Sequence, residues 1–219
     1  MLTLQTLIHP AGTACGDANR LLALMNYHRK LHGGQYLYWS SKLAEAAHTW
    51  VTGQMSAAVT GGSCSLSHAS SSALNNGGFY DNDTLPFSGG LAWRGIPIDD
   101  ALYNPTGEGE NLYFNTIPGG NYSQPWLDMC SLAAYSWYDE IKDVTFTSPF
   151  RDQIANPTSF VKIGHWTQLT WKQTQFVGCS AAFTANIASN PCFMTVCRFA
   201  GPGNGLDYDP STTQTCLLY

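Results

Sequence analysis

Residues 164–179 read Gly-His-Trp-Thr-Gln-Leu-Thr-Trp-Lys-Gln-Thr-Gln-Phe-Val-Gly-Cys. The stretch holds one titratable ring, His165, between Gly164 and Trp166. Thr167, Gln168 and Trp171 follow, and Gly178-Cys179 closes it. A histidine set among aromatic residues is, taken alone, most often a hydrogen-bonded core residue. What His165 does depends on the residues that the rest of the chain sets beside it.

The 219 residues suffice for one good-sized core, or one core with insertions. Charged residues make up only 11%, against roughly 25% in an ordinary soluble domain. The polar surface therefore falls to Ser, Thr, Asn, Gln and Gly. A net charge of -5 with 10 Lys and Arg argues against a nucleic-acid footprint, which needs clustered basic residues. No apolar run approaches the roughly 18 residues of a membrane span.

Cysteines stand at 15, 64, 130, 179, 192, 197 and 216. No CxxC pair occurs, and the Cys192/Cys197 spacing is too long for a zinc knuckle. Three disulfides and one odd thiol are the better reading, which places the chain in an oxidising compartment. The sequons Asn82-Asp83-Thr84 and Asn121-Tyr122-Ser123 fit a secreted glycoprotein. Residues 1–16 make a poor signal peptide: they lack a basic start, and Gln5, Thr6 and His9 break the apolar run. The expectation is a chain from which the signal peptide is missing.

Asp17 can cap a helix running to about His32, with Leu21, Leu22, Leu24, Met25 and His28 as its apolar stripe. Ser40-Ser41 opens a second helix with Leu43, Ala46, Ala47, Trp50 and Val51 on its buried face, ending near Gly53. Cys64 and His68, four apart, make a weak metal pair by themselves. Residues 69–109 are rich in Ser, Asn, Gly and Asp and lack periodicity, so they read as an insertion or a functional surface loop. A third helix runs from about Leu127 or Ser131 to Lys142, with Ala133, Ala134, Trp137, Tyr138 and Ile141 inward. Glu140 lies near that face, and a carboxylate at a core edge needs a partner. Residues 147–160 read as loop. Phe176–Phe183 and Phe193–Phe199 alternate as two strands.

Several of these pieces, in this order, resemble the CAP superfamily of cysteine-rich secretory, antigen 5 and pathogenesis-related 1 proteins. Gly164–Trp171 looks like its GH(F/Y/W)TQ(V/L)xW signature, and Gly109-Glu110-Asn111-Leu112 like its GENL signature. Cys64-x-x-x-His68 resembles the Cys and His before GENL, Ala133–Ile141 the third helix, Asn26-x-x-Arg29 the end of HNxxR, and Phe199–Asn204 the terminal YxPxGN. Met25, Thr170 and Arg198–Gly201 depart from the pattern. The resemblance covers a single domain over about 17–205, with 1–16 and 206–219 as flanking segments.

The resemblance implies an α+β fold, a three-layer α-β-α sandwich of CAP type with a long loop insertion. It implies that His68, Glu110, Glu140 and His165 converge on an open cleft. Two imidazoles and two carboxylates suit Zn²⁺ or a similar divalent cation, with His68 and His165 as ligands. The plain alternative is a buried polar network that fixes the layers. Family pattern implies the disulfides Cys179–Cys197 and Cys64–Cys192. Cys15–Cys216 follows only from arithmetic and leaves Cys130 odd.

Three functions remain open at this point. The first, and preferred, is a secreted monomer that binds a sterol, fatty acid or other small lipid without enzymatic turnover. Tyr113, Phe114, Tyr122 and Trp126 around the Gly/Pro-rich loop after GENL would supply its apolar contacts. The second is a defence-related interaction module that shows 69–109 to a protein partner beside a metal-binding cleft. The third is a metal-assisted hydrolase, although no GxSxG or HExxH occurs.

Overall fold

A computed structural model describes Cys15 and residues 18–70, 108–116, 129–148, 150–187, 190–201 and 203–204. Asp17, Asn82, Asn121, Tyr122, Trp126, Cys216 and nearly all of 69–109 lie outside the described residues. The elements follow the order α1 (Ala18–Leu31), β1 (Tyr38–Trp39), α2 (Ser41–Gly61), β2 (Glu108–Thr116), α3 (Met129–Asp139), a 3-10 turn (Glu140–Asp143), α4 (Phe150–Ala155), α5 (Pro157–Thr170), β3 (Phe176–Ile187) and β4 (Asn190–Ala200).

The four strands form one sheet in the order β1-β3-β4-β2. β1 lies parallel to β3, and the other pairs are antiparallel. Alternation along β4 sorts its residues between two helical layers. Met194 and Val196 pack with Ala47, Val51 and Met55 of α2. Cys197 and Phe199 pack with Leu21 and Met25 of α1, Ala133 and Trp137 of α3, and Leu169 of α5. The result is the α-β-α sandwich that the resemblance implies.

Ser40 caps α2 by accepting from the Leu43 N–H. The helix does not end at Gly53. Gly53 lies on the exposed side, while Val51, Met55 and Ala58 continue the buried stripe. The end comes at Gly62, whose φ of 69° is the left-handed conformation that glycine adopts without a Cβ clash. Residues 157–160, read as loop, open α5: Asn156 accepts from the Thr158 N–H at 2.9 Å and Pro157 stands first in the helix. β2 begins at Glu108, so the last two residues assigned to the insertion belong to the sheet.

The disulfides are Cys64–Cys192, Cys179–Cys197 and Cys15–Cys130. The third corrects the expected Cys15–Cys216 pairing and gives the supposedly odd Cys130 a partner. Its cause is packing. Cys15 precedes α1 and Cys130 opens α3, and both are buried in the core that those helices share.

Two buried side chains set how the helices meet. Arg29, fully buried, donates through Nη1 to the carbonyls of Leu169 and Trp171, through Nη2 to Thr174 and through Nε to Gln35. Its charge thus sits at the C-terminus of α5, where unpaired carbonyls and the helix dipole favour a cation. His28 is also buried, stacked on Tyr138 with ring centroids 3.6 Å apart and edged by Tyr27 and Tyr135. Neither His28 ring nitrogen has a hydrogen-bond partner. Burial, aided by neighbouring His32, pushes its pKa down to about 4.

Candidate functional site

Among the described residues β2 is an edge strand, and the site is built along it. Trp137 of α3 donates its indole N–H to the Leu112 carbonyl at 3.0 Å, so α3 covers part of this edge. α5 approaches the same strand at Gly109. A Cβ there would stand 2.0 Å from Gln168 Oε1, so any side chain at this position would displace the Gln168 amide. Gln168 uses the space: its Oε1 accepts from the Gly203 N–H at 2.7 Å, and its Nε2 donates to Thr174 Oγ1 at 3.1 Å. The glycine of GENL is thereby explained by packing.

His68 lies beyond the end of α2 on a tethered segment. Cys64 is bonded to Cys192, and Trp50 donates to the Ser67 carbonyl at 2.9 Å. Glu110 Oε1 accepts from His68 Nδ1 at 3.0 Å and from the Ala69 N–H at 3.0 Å. The His68 side chain is 62% exposed and that of Glu110 only 1%. Glu140 Oε1 accepts from His165 Nδ1 at 2.6 Å. Glu140 Oε2 accepts from the backbone N–H groups of both His165 and Trp166 at 3.0 Å. The His165 ring also stacks on Trp137, with centroids 6.1 Å apart.

The four expected residues therefore form two imidazole–carboxylate pairs. Asn111 links them through β2: its Nδ2 donates to the His165 carbonyl at 3.0 Å, while its neighbour Glu110 holds His68. Among the described residues, no three His, Cys, Asp or Glu side chains converge into one metal-holding group. A carboxylate that accepts calls for a proton on Nδ1 of each ring, and a neutral ring then has its lone pair on Nε2. That is the outer-shell pattern that orients a histidine for a cation. In each pair the glutamate stands behind the ring on its Nδ1 side.

A charged pair behind His68 was not anticipated. Arg198 Nη1 donates to Glu108 Oε2 at 3.1 Å, and Arg198 Nε lies 3.5 Å from Glu110 Oε2. All three side chains are 5% exposed or less. Burial raises the Glu108 pKa, which Arg198 opposes and Glu110 reinforces. The Glu-Gly-Glu spacing was the available sequence signal, because residues two apart on a strand share a face.

Two of the four proposed lipid contacts, Tyr113 and Phe114, fall on described residues. Tyr113 and Phe114 stand in β2, just before that loop, and successive strand residues point to opposite faces. Tyr113 packs against the α1–α3 core, and its hydroxyl accepts from Asn115 Nδ2 at 3.3 Å. Phe114 is 47% exposed. Tyr122 and Trp126 lie outside the described residues. A polar cavity of about 460 Å³ beside α4 and α5 is lined by Asp143, Ser148, Asp152, Thr158 and Lys162 among others, and by none of the paired residues. Among the described residues, no helix is long and apolar enough to cross a membrane.

The profile of the cysteine-rich secretory protein family, CAP, matches residues 22–199, and the chain belongs to this family. It is 33% identical over 98 residues to cysteine-rich secretory protein 2 of Cavia porcellus, an overlap covering 45% of this chain and 34% of that protein. It is 25% identical over 181 residues to GLIPR1-like protein 1 of Bos taurus, covering 83% of this chain and 55% of that protein. A probable pathogenesis-related protein of Arthroderma benhamiae is 25% identical over 185 residues, covering 83% and 43%. The chain thus spans between about a third and about half the length of the curated relatives it matches. Among solved structures, BmVAL-1 superposes with a TM-score of 0.56 at 16% identity, covering 94% of this chain and 84% of that one. NaASP2 with Zn²⁺ gives 0.55 at 14%, covering 90% and 85%. These likenesses establish the fold.

Proposed function

We propose that this domain is a secreted, non-enzymatic binding module whose centre is the two carboxylate-backed imidazoles beside β2, with a divalent cation such as Zn²⁺ as their ligand. One observation carries the reading: both rings spend Nδ1 on a glutamate and keep Nε2 for a ligand. His68 and His165 would hold the cation, and water would complete an open shell. Bound there, the cation would supply positive charge and Lewis acidity. The structural neighbour solved with Zn²⁺ supports the reading. Three disulfides support secretion, and the pathogenesis-related name of one relative supports a role in defence. A hydrolase reading has less behind it. Ser180 meets His48 Nδ1 at 3.2 Å, but Ser180 is fully buried between α2 and β3.

The test is calorimetric titration of the oxidised protein with Zn²⁺, beside His68→Ala and His165→Ala. Saturable binding weakened in both variants supports the reading, and no binding to the wild type overturns it. Sterol or another small lipid is the second ligand class, favoured by the exposed Phe114 on this edge strand. Saturable binding of a labelled sterol, weakened in Phe114→Ala and in Tyr122→Ala/Trp126→Ala, supports that reading; its absence overturns it.

A further inference from the structure

We infer that Arg198, anchored by Glu108, is the positioning residue of the Glu110–His68 pair: it holds the buried carboxylate that orients the His68 ring. Arg198 of β4 pairs in register with Glu110 of β2, and Glu108 lies two residues away on the same strand face. The guanidinium therefore lies between the two glutamates, with Nη1 on Glu108 at 3.1 Å and Nε toward Glu110 at 3.5 Å. One edge of its planar fork meets each carboxylate, a division that lysine, a single point charge, cannot reproduce.

The consequence reaches His68 through the two Glu110 oxygens. Oε2 faces Arg198, while Oε1 accepts from His68 and Ala69. Among the described residues Oε2 makes no hydrogen bond, so its ion pair with Arg198 at 3.5 Å is what restrains it, and restraining it aims Oε1. A ring that is 62% exposed has little packing to hold its orientation, so the hydrogen bond to a carboxylate that is 1% exposed must do it. Two carboxyl groups and one guanidinium meet in this buried place, one acidic group more than the basic ones. That surplus favours a cation at His68 Nε2. This last step rests on the cation reading proposed above; the positioning step does not.

Two readouts separate the steps, using the whole oxidised chain and the variants Arg198→Met, Arg198→Lys and Glu108→Gln. The first is the His68 ring tautomer, read from ¹⁵N shifts in metal-free protein at one fixed pH, with His165 as internal control. Arg198→Met is expected to shift His68 from the Nδ1–H toward the Nε2–H form, with His165 unchanged and Arg198→Lys restoring part of the effect. A folded Arg198→Met protein with an unchanged His68 tautomer overturns the inference, as does a shift of both rings together. Should Arg198→Met not fold, Arg198→Lys carries the same comparison. The second readout is Zn²⁺ affinity. Glu108→Gln keeps an acceptor for Arg198 but removes the surplus charge, and is expected to weaken binding about tenfold, within the range for outer-shell partners. If the wild type binds no Zn²⁺ while the tautomer result holds, the cation reading fails and the positioning role stands. If Glu108→Gln binds as tightly as the wild type, the charge argument is overturned.

Discussion

The Glu140 carboxylate holds His165 at two points, by its backbone N–H at 3.0 Å and by its ring at 2.6 Å. Because Oε2 also accepts from Trp166 N–H, one side chain leaving α3 fixes the middle of α5 and the ring it carries. Glu140→Gln leaves only one accepting oxygen for these three donors. The expected loss is about 1–3 kcal/mol by urea unfolding. Amide exchange at residues 165 and 166 should quicken in the same variant, which a loss elsewhere in the fold would not produce.

His28 makes stability depend on acid in a definite direction. Its folded pKa is about 4, against 6.5 when solvated. As pH falls below 6.5, the unfolded chain takes up a proton that the native state refuses, so native stability declines down to about 4 and is flat above 6.5 from this group. His32, whose pKa burial also lowers, adds in the same sense. Tyr27, Tyr135 and Tyr138 supply no negative charge to offset a proton. The expected cost at pH 4 is about 2 kcal/mol, discounted for partial screening by water. Denaturation midpoints followed between pH 7 and 4 test this: His28→Phe should flatten the profile, and an unchanged slope would remove His28 as its cause.

Arg29→Met should be more damaging than most single changes. It removes a buried cation and leaves four carbonyls, those of Gln35, Leu169, Trp171 and Thr174, without this donor. A loss of at least about 3 kcal/mol is expected by chemical denaturation under oxidising conditions. A loss under about 1 kcal/mol would mean that water replaces the guanidinium at the end of α5.

Peptide mapping without reduction should recover Cys15 joined to Cys130. Recovery of Cys15 with Cys216 would refute the pairing described here. Replacing both Cys15 and Cys130 by Ser should cost about 2–4 kcal/mol, because the bond closes a long loop in the unfolded chain.

The sequence was legible where a local device sets an element, and opaque where the cause lies far along the chain. Ser40 announces the start of α2, but its end could not be read from Gly53, because only the burial of Met55 and Ala58 shows that the helix continues. Asn156-Pro157 is a serviceable helix start that the surrounding Pro, Thr and Asn disguised. His165, His68 and Glu140 each stood out locally, but only resemblance grouped them with Glu110, since no local pattern joins residues on four different segments. Resemblance did not foresee their division into two pairs. Arg198 escaped notice because its partner Glu108 is 90 residues away, and only the β2–β4 register brings them together. Cys15 was mispaired for the same reason: counting says how many bonds form, and helix packing decides which.

The bond from the Ala69 N–H to Glu110 Oε1 joins two points 41 residues apart in the chain. Ala69 and Glu110 thus bring the two ends of the intervening segment to almost one place. Ring closure of this kind depends only logarithmically on length, so doubling the intervening chain costs about 0.6 kcal/mol. The closure term by itself therefore sets little limit on the length of the segment between them. The constraint on any change of that length is geometric: both ends must still arrive where His68 and Glu110 meet.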